Sequence, residues 1–358
     1  MTARIAASSL LFALTGLADA AWAQAPEAIS HYDKGNEQIE RRNFRDAAAE
    51  FEAAVAIDST YGDAIFALGR VYGVLNEYPK AIRAYEAARR LGISPEKIND
   101  ELAQLYHLSG VALLQQRKYA DALTQLRSAL ALEPNNAKVH YAIGLAYSGL
   151  RDEDQARQAF QKAIQANPQD PKPHKALADN QRRRQELGAA AASYQRAIDL
   201  DSSYVDAYGG LAQVKIETKD LEGAVSLMRR ATAANPKYAE GFLFLGTALN
   251  QLGRQQQAVE PLRRAKELAP RNAEAQYRLG EAYFGKGEFR SAVEAGLAAL
   301  RIQSGHHASE ALLGDAYAKL GQTQEARTWY TKAMQDSRLR DYCKHQIDAL
   351  SKPGGAAR

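Results

Sequence analysis

Apolar and small residues recur with helical spacing in residues 137–170. The first half of this stretch places three of them on one face of a predicted helix: Ile143, Ala146 and Tyr147. The second half does the same with Ala156, Phe160, Ala163 and Ile164. A turn is expected at 149–152, and Pro168 ends the second helix because proline has no amide hydrogen to continue it. The pattern predicts a helix–turn–helix unit.

This unit is repeated along most of the chain. Alanines in the position of Ala156 recur at one constant interval, with a single longer gap before Ala122, and they stand at 47, 81, 122, 156, 190, 224, 258, 292 and 326. A second alanine series follows the first at a fixed offset, at 54, 88, 129, 163, 197, 231, 265, 299 and 333. Both series change phase at the same gap, so we infer a true internal repeat with nine copies.

The recurring residues identify the type of repeat. In residues 137–170 they are Gly144, Tyr147, Ala156, Phe160, Ala163 and Pro168. Their order and spacing resemble the tetratricopeptide repeat. The resemblance implies an all-α fold, an α-solenoid of about nine helix-turn-helix units in a right-handed superhelix. First helices would line its concave face and second helices its convex face.

The repeats define the predicted organisation of the chain. They cover residues 28–61, 62–95, 103–136, 137–170, 171–204, 205–238, 239–272, 273–306 and 307–340. A short segment, 24–27, precedes them, and a capping helix over 341–352 and a flexible tail, 353–358, follow. The seven extra residues at 96–102 come after Ser94-Pro95, which is typical of a helix start. We therefore expect them to lengthen the first helix of the third repeat.

Some copies depart from the pattern. The fifth has Ala178 in place of the glycine and Gln181 in place of the tyrosine, and the eighth has Gly296 where an aromatic residue or leucine is usual. Because a smaller side chain leaves space in a packed interface, the interfaces at Gln181 and Gly296 are predicted to be the loosest.

Residues 1–23 have the pattern of a secretory signal. Arg4 precedes an apolar run, and Ala21-Trp22-Ala23 is a small-x-small cleavage site. Asp19 interrupts the run and leaves it shorter than a membrane span. We expect the mature chain to be periplasmic or secreted, without a membrane span. Cys343 is its only cysteine, so no internal disulfide is possible.

Charge and candidate chemistry exclude several functions. The formal net charge of +4 is small for 358 residues and disfavours a nucleic-acid binder. His306, His307 and Glu310 could suggest a metal, but adjacent helical residues point in different directions and no further ligand is evident nearby. No catalytic set stands out from the repeat background. We expect no cofactor, no metal and no enzymatic activity.

The resemblance also implies which positions face a partner, namely the second, fifth, ninth, twelfth and thirteenth of each repeat. The predicted partner-binding residues are Tyr32, Asn36, Phe66, Arg70, His107, Tyr141, Leu145, Lys175, Asp179, Arg182, Arg183, Leu243, Asn250, Tyr277 and Phe284. Large apolar groups that the repeat pattern does not require indicate binding. The alternative, left open here, is that many of them pack against neighbouring first helices.

These observations predict a non-catalytic protein–protein interaction scaffold or adaptor that binds a protein or peptide segment in the concave groove, most simply in the periplasm of a Gram-negative bacterium. Apolar anchors would be Tyr32, Phe66, Tyr141 and Leu145, while Lys175, Arg182 and Arg183 would bind acidic groups. The alternative hypothesis is a structural subunit of an envelope complex, such as polysaccharide export or pilus machinery.

Overall fold

A computed structural model describes residues 25–351, apart from the side chain of Lys97. This part of the chain contains helices and turns and no strand, so the prediction of an all-α fold is confirmed. The helices pack as consecutive pairs. The predicted signal at 1–23 and the predicted tail at 353–358 lie outside the described residues. The chain forms two compact units, Met1–Asn167 and Pro168–Arg358.

Unit 1 contains four helix pairs in its described part. Their helices are Pro26–Glu40 (α1), Phe44–Ile57 (α2), Gly62–Val74 (α3), Tyr78–Arg90 (α4), Pro95–Gln115 (α5), Tyr119–Leu132 (α6), Ala137–Gly149 (α7) and Glu153–Ala166 (α8).

Unit 2 contains five helix pairs and a final helix in its described part. These helices are Pro171–Arg183 (α9), Leu187–Leu200 (α10), Val205–Glu217 (α11), Leu221–Ala234 (α12), Ala239–Gln251 (α13), Gln255–Leu268 (α14), Ala273–Gly285 (α15), Phe289–Ile302 (α16), His307–Lys319 (α17), Thr323–Ala333 (α18) and Ser337–Leu350 (α19).

A glycine in the first helix of a pair lets the second helix approach closely. A Cβ added at Gly144 would lie 2.3 Å from Cε1 of Phe160, so the buried ring occupies the space of the missing side chain. Gly314 and Tyr330 repeat this arrangement in unit 2, where the added Cβ would lie 2.5 Å from Cδ1 of the ring. The glycine of the repeat pattern is therefore required by packing within the hairpin.

Helix α5 is the long helix that the insertion predicts, and it spans 21 residues. Pro95 is in its first turn, as expected, but the side chain of Ser94 makes no capping hydrogen bond. The first half of α5 packs Leu102 and Leu105 against the core formed by α2, α3 and α4. Its second half packs Gly110 against Leu126 of α6, where an added Cβ would lie 2.6 Å from Cγ.

Two repeat registers are thus superposed on α5. The hydroxyl of Tyr72 donates to Glu52, and that of Tyr106 donates to Oε1 of Glu86 at 2.8 Å, with the same separation along the chain in both pairs. Tyr106 is therefore equivalent to Tyr72, as if the third repeat began at 96. The second half of the helix follows the register that begins at 103.

The prediction of an under-packed interface at Gly296 is wrong. Leu313 of α17 is fully buried, and a Cβ added at Gly296 would lie 3.0 Å from its Cγ and Cδ2. The leucine of the following first helix fills the space that the missing aromatic residue leaves. At the other predicted weak point, the side-chain oxygen of Gln181 accepts a hydrogen bond from Ser193 at 2.8 Å.

The last helix begins at Ser337, before the predicted start at 341, because Asp336 accepts a hydrogen bond from the backbone amide of Arg338 at 2.9 Å and acts as the N-cap. Cys343 is fully buried on the face that packs against Tyr330 and Ala333. On the same helix, Tyr342 remains 43% exposed.

Candidate partner-binding site

First helices α1, α3 and α5 surround a pocket of about 620 Å³ in unit 1. Four of the predicted binding residues line it: Tyr32, Asn36, Phe66 and Arg70. Second helices contribute little to this wall, since Phe44 and Tyr85 are their only residues in the described lining. The pocket therefore lies on the surface that the repeat geometry assigns to a partner.

Two aromatic residues of this pocket, Tyr32 and Phe66, are half-buried and pack against other rings. Tyr32 lies 5.7 Å from Phe51 and 5.2 Å from Tyr61 between ring centroids. Phe66 meets Tyr85 edge-on at 5.2 Å. Both side chains thus also pack against the core. For these two residues, the interpretation as binding residues and the interpretation as packing residues are compatible. Rigid aromatic anchors of this kind lose little entropy on binding a partner.

Other residues of the pocket lining are more exposed. Val74 is 55% exposed and Leu108 is 37% exposed, although both are large apolar side chains. Arg70 is also exposed, and the carboxylates of Asp63 and Glu101 lie in the same lining. The pocket therefore combines apolar contact surface with charged groups of both signs.

The sequence missed Gln104 and Leu108 as lining residues because it placed the third repeat at 103–136, and it missed Glu101 because this residue is at the sixth position of the register that begins at 96, which was not expected to face a partner. Gln104 follows Arg70 by one repeat length, as Arg70 follows Asn36, so it belongs to the same ninth-position row in the register that begins at 96. The signal for this register was Tyr106, which is spaced from Glu86 as Tyr72 is from Glu52. The predicted register therefore placed the ninth position of the third repeat seven residues after Gln104.

Three other predicted residues of unit 1 lie outside this pocket. His107 is half-buried, and burial is the first cause that lowers the pKa of its imidazole, with Lys138 adding to the effect and Glu133 opposing it. The ring of Tyr141 lies 6.0 Å from that of Phe160. Leu145 is 38% exposed on α7. Their assignment to a binding surface remains a prediction.

The charged residues predicted on α9 are engaged within unit 2. Lys175 pairs with Asp179 at 2.9 Å, and Arg182 pairs with Glu217 at 3.4 Å. Asp179 also accepts a hydrogen bond from the hydroxyl of Tyr194 at 2.5 Å. Arg183 is exposed, whereas Leu243 on α13 is half-buried against the core. An acidic partner would therefore have to compete with carboxylates that already hold Lys175 and Arg182.

A second pocket, of about 570 Å³, lies in unit 2 and is lined by the remaining predicted residues, Asn250, Tyr277 and Phe284. The hydroxyl of Tyr277 donates to Oε1 of Glu281 at 2.7 Å. Asp315, which is not among the predicted residues, also lines this pocket. It follows Glu281 by one repeat length, so reading the ninth position in the last repeat would have found it.

The histidines considered for metal binding have structural roles. His306 is the N-cap of α17 and lies 2.7 Å from the hydroxyl of Ser309, while His307 lies 2.8 Å from a carboxylate oxygen of Glu310. Within residues 25–351, no group of three or more His, Cys, Asp or Glu side chains is placed to hold a metal ion. No helix in the same range is both long and apolar enough to cross a bilayer.

Family models match most of the repeat array. A tetratricopeptide repeat model matches residues 32–96, 107–171 and 277–338, a second one matches 182–246, and a TPR repeat model matches 246–287. The chain belongs to the tetratricopeptide repeat family. The fold of this family is typically a non-catalytic interaction scaffold, and TPR proteins bind protein or peptide partners.

Solved TPR structures resemble parts of the chain or most of it. The Cut9–Hcn1 hetero-tetramer of the APC/C gives a TM-score of 0.54 at 15% identity, covering 91% of this chain and 76% of that one. The C-terminal part of a TPR repeat-containing protein from Cytophaga hutchinsonii gives 0.53 at 13% identity, covering 69% and 100%. These likenesses show the fold alone.

YrrB, described as a TPR protein with an unusual peptide-binding site, is 29% identical over 53% of this chain and 99% of its own, with a TM-score of 0.44. No curated protein matches the chain.

Proposed function

We propose that this TPR chain is a non-catalytic adaptor that binds an extended or helical segment of a partner protein in the groove of unit 1 between α1, α3 and α5. The observation that carries the proposal is the pair of exposed apolar side chains, Val74 and Leu108, in a pocket that also presents the rings of Tyr32 and Phe66. Exposed apolar side chains that converge on a concave site are typical of binding surfaces.

The chemistry of the groove suggests the kind of segment it takes. Apolar partner side chains would contact Val74, Leu108 and Phe66. Arg70 would pair with an acidic group of the partner, and Glu101 with a basic one. Tyr141 and Leu145 would extend the contact along unit 1. Lys175, Asp179, Arg182, Arg183 and Leu243 are proposed only as secondary contacts in unit 2, because the first three are already engaged there.

Selection from a random peptide library tests the groove without knowledge of the natural partner. Peptides enriched on the wild-type chain should lose binding to the double variant Val74→Glu and Leu108→Glu, because two carboxylates would replace the apolar contact surface. Ile57→Glu is the matched control, since Ile57 is 40% exposed but lies on the second helix α2, outside the pocket. Retained binding by the double variant, or equal loss in the control, would refute the groove assignment.

We further propose that the adaptor works in the periplasm. The support is the signal pattern of residues 1–23, with its cleavage site before Gln24. Osmotic release of the periplasm followed by mass measurement should give a chain that begins at Gln24. Recovery of the full-length chain in the cytoplasm would contradict this location. Recovery in a stoichiometric membrane complex would instead favour the structural subunit of an envelope assembly.

A further inference from the structure

The pocket of unit 2 contains hydrogen-bond acceptors that the protein itself leaves unused. The hydroxyls of Tyr330 and Tyr342 both donate to Oδ1 of Asp315, at 2.7 and 2.6 Å. Oδ2 of the same carboxylate accepts no hydrogen bond from the residues that the structure describes. Because Asp315 lines the pocket, a ligand there can donate to Oδ2.

Asn250 provides a second unused acceptor in the same pocket. Its Nδ2 donates to the backbone carbonyl of Arg278 at 2.8 Å, which fixes the orientation of the amide, since the opposite orientation would place two oxygens together. Its Oδ1 is buried and has no donor within the described part of the chain. A buried acceptor without a donor is unfavourable, so a ligand that carries N–H groups would gain from both positions.

The charges around the pocket favour a cation. Glu281 and Asp315 line it, and Glu274 lies beside Glu281 through their shared partner Arg278. These three carboxylates face the guanidinium of Arg278 and the ammonium of Lys319, which acts on Asp315 from the next turn of α17. His306 also pairs with Glu274. Apart from this histidine, three carboxylates against two cations leave an excess of one negative charge.

Aromatic rings complete the walls. Tyr277, Phe284 and Tyr342 line the pocket, and the guanidinium of Arg278 already lies 5.0 Å from the ring centroid of Tyr277. Aromatic faces attract cations. A guanidinium stacks on an aromatic face more often than an ammonium does, because it is planar and weakly hydrated. The pocket thus already accommodates one guanidinium against one of its rings.

We propose that this pocket is a binding site for an arginine side chain of a partner protein. The guanidinium would donate to Oδ2 of Asp315 and to Oδ1 of Asn250 and stack on the aromatic wall. A guanidinium has several donors in one plane and can serve two separate acceptors, whereas the ammonium of lysine is a point charge. The site belongs to unit 2, so it does not depend on the proposed groove of unit 1.

A tripeptide titration tests the site directly. The mature full chain, with isotope-labelled tyrosine rings, is titrated with acetyl-Gly-Arg-Gly-amide and followed by NMR at the signal of Tyr342, which Tyr342→Phe assigns. We expect saturable binding that weakens about tenfold or more in Asp315→Asn, because this variant keeps an acceptor for the two tyrosines but removes the charge and replaces Oδ2 or its equivalent with a donor.

Glu86→Gln is the matched control. The carboxylate of Glu86 also accepts a hydrogen bond from a tyrosine, Tyr106, at 2.8 Å, but Glu86 lies on the second helix α4 of unit 1 and does not line the pocket. This variant should bind the tripeptide as the wild type does. The peptide with citrulline, a neutral isostere of arginine, should not bind to the unmodified chain, and this comparison decides the matter even if Asp315→Asn fails to fold.

Three outcomes would overturn the proposal: no saturable binding of the arginine peptide, equal binding of the citrulline peptide, or equal binding by a folded Asp315→Asn variant. Equal binding of a third peptide, acetyl-Gly-Lys-Gly-amide, would refute the assignment to a guanidinium. The library selection on unit 1 is read separately, so either proposal can fail without the other.

Discussion

Replacement of Gly144 by alanine tests whether the glycine of the repeat is required by ring packing. The new Cβ would lie 2.3 Å from Cε1 and 2.4 Å from Cδ1 of Phe160, which is far inside van der Waals contact. Phe160 is 1% exposed and also faces the ring of Tyr141, so it has little room to move. We expect the hairpin of α7 and α8 to be destabilised.

The magnitude follows from two opposing effects. Alanine is favoured over glycine in a helix interior by about 1 kcal/mol, whereas overpacking of a core costs about 1–3 kcal/mol. The difference is a net loss of up to about 2 kcal/mol, with about 1 kcal/mol as the central expectation. Since a change of about 1–2 kcal/mol alters an equilibrium about 5- to 30-fold, the effect is measurable.

Native-state hydrogen exchange read by mass spectrometry suits this prediction, because a repeat array opens locally and a single melting temperature would average its parts. Exchange of peptides from α7 and α8 should accelerate about 5- to 30-fold. Gly188→Ala is the control, since nothing lies within 4 Å of an added Cβ on α10. It should not accelerate exchange of α10, because the added Cβ meets no neighbour. Unchanged or slower exchange at α7 in Gly144→Ala would refute the packing argument.

Two further predictions concern unit 2. Leu313→Ala should destabilise the contact between α16 and α17 by about 2–5 kcal/mol, because it empties the space above Gly296; hydrogen exchange of α16 should accelerate, and unchanged exchange would show that Leu313 does not support this interface. Burial raises the pKa of Asp315, against the hydrogen bonds of Tyr342 and Tyr330 and the charge of Lys319, which lower it. A raised folded-state pKa means that the stabilisation is present below the ordinary value of 3.8 and is lost as the pH rises through the folded-state pKa. Hydrogen-exchange protection of α17, corrected for the intrinsic pH dependence of exchange, should therefore fall as the pH rises above 3.8. Asp315→Asn should reduce this fall, and an identical dependence in both chains would contradict the prediction.

The sequence predicted the hairpins well because their determinants are local. Gly144, Phe160 and Pro168 act within one repeat, so their spacing is sufficient to indicate the two helices and the turn. The prediction at Gly296 failed because the compensating residue, Leu313, lies in the next repeat and is an ordinary leucine in a first helix. A volume deficit can be read from one repeat, but the side chain that fills it cannot.

The candidate sites were predictable in position and less so in chemistry. Tyr32, Asn36, Phe66 and Arg70 line one pocket, as a simple count of repeat positions suggests. A count of repeat positions also gives Asp315, at the ninth position of the last repeat. Its proposed role as an acceptor, however, depends on two tyrosine hydroxyls that both donate to one of its oxygens. Hydrogen bonds of this kind depend on side-chain orientation, which spacing along the chain does not determine.

The length of α5 limits how this array can change. Seven residues turn an α-helix through two turns less about 20°. An insertion of seven therefore keeps the face that meets α4 and the face that meets α6 nearly aligned. It moves the two faces about 10 Å apart along the helix axis. An insertion of five would rotate one face away from its partner by about 140° at about 3.6 residues per turn. First helices of such a protein can therefore lengthen only in steps of nearly whole turns. In evolution or in engineering, a step of this kind offsets neighbouring repeats along the helix axis without any added loop.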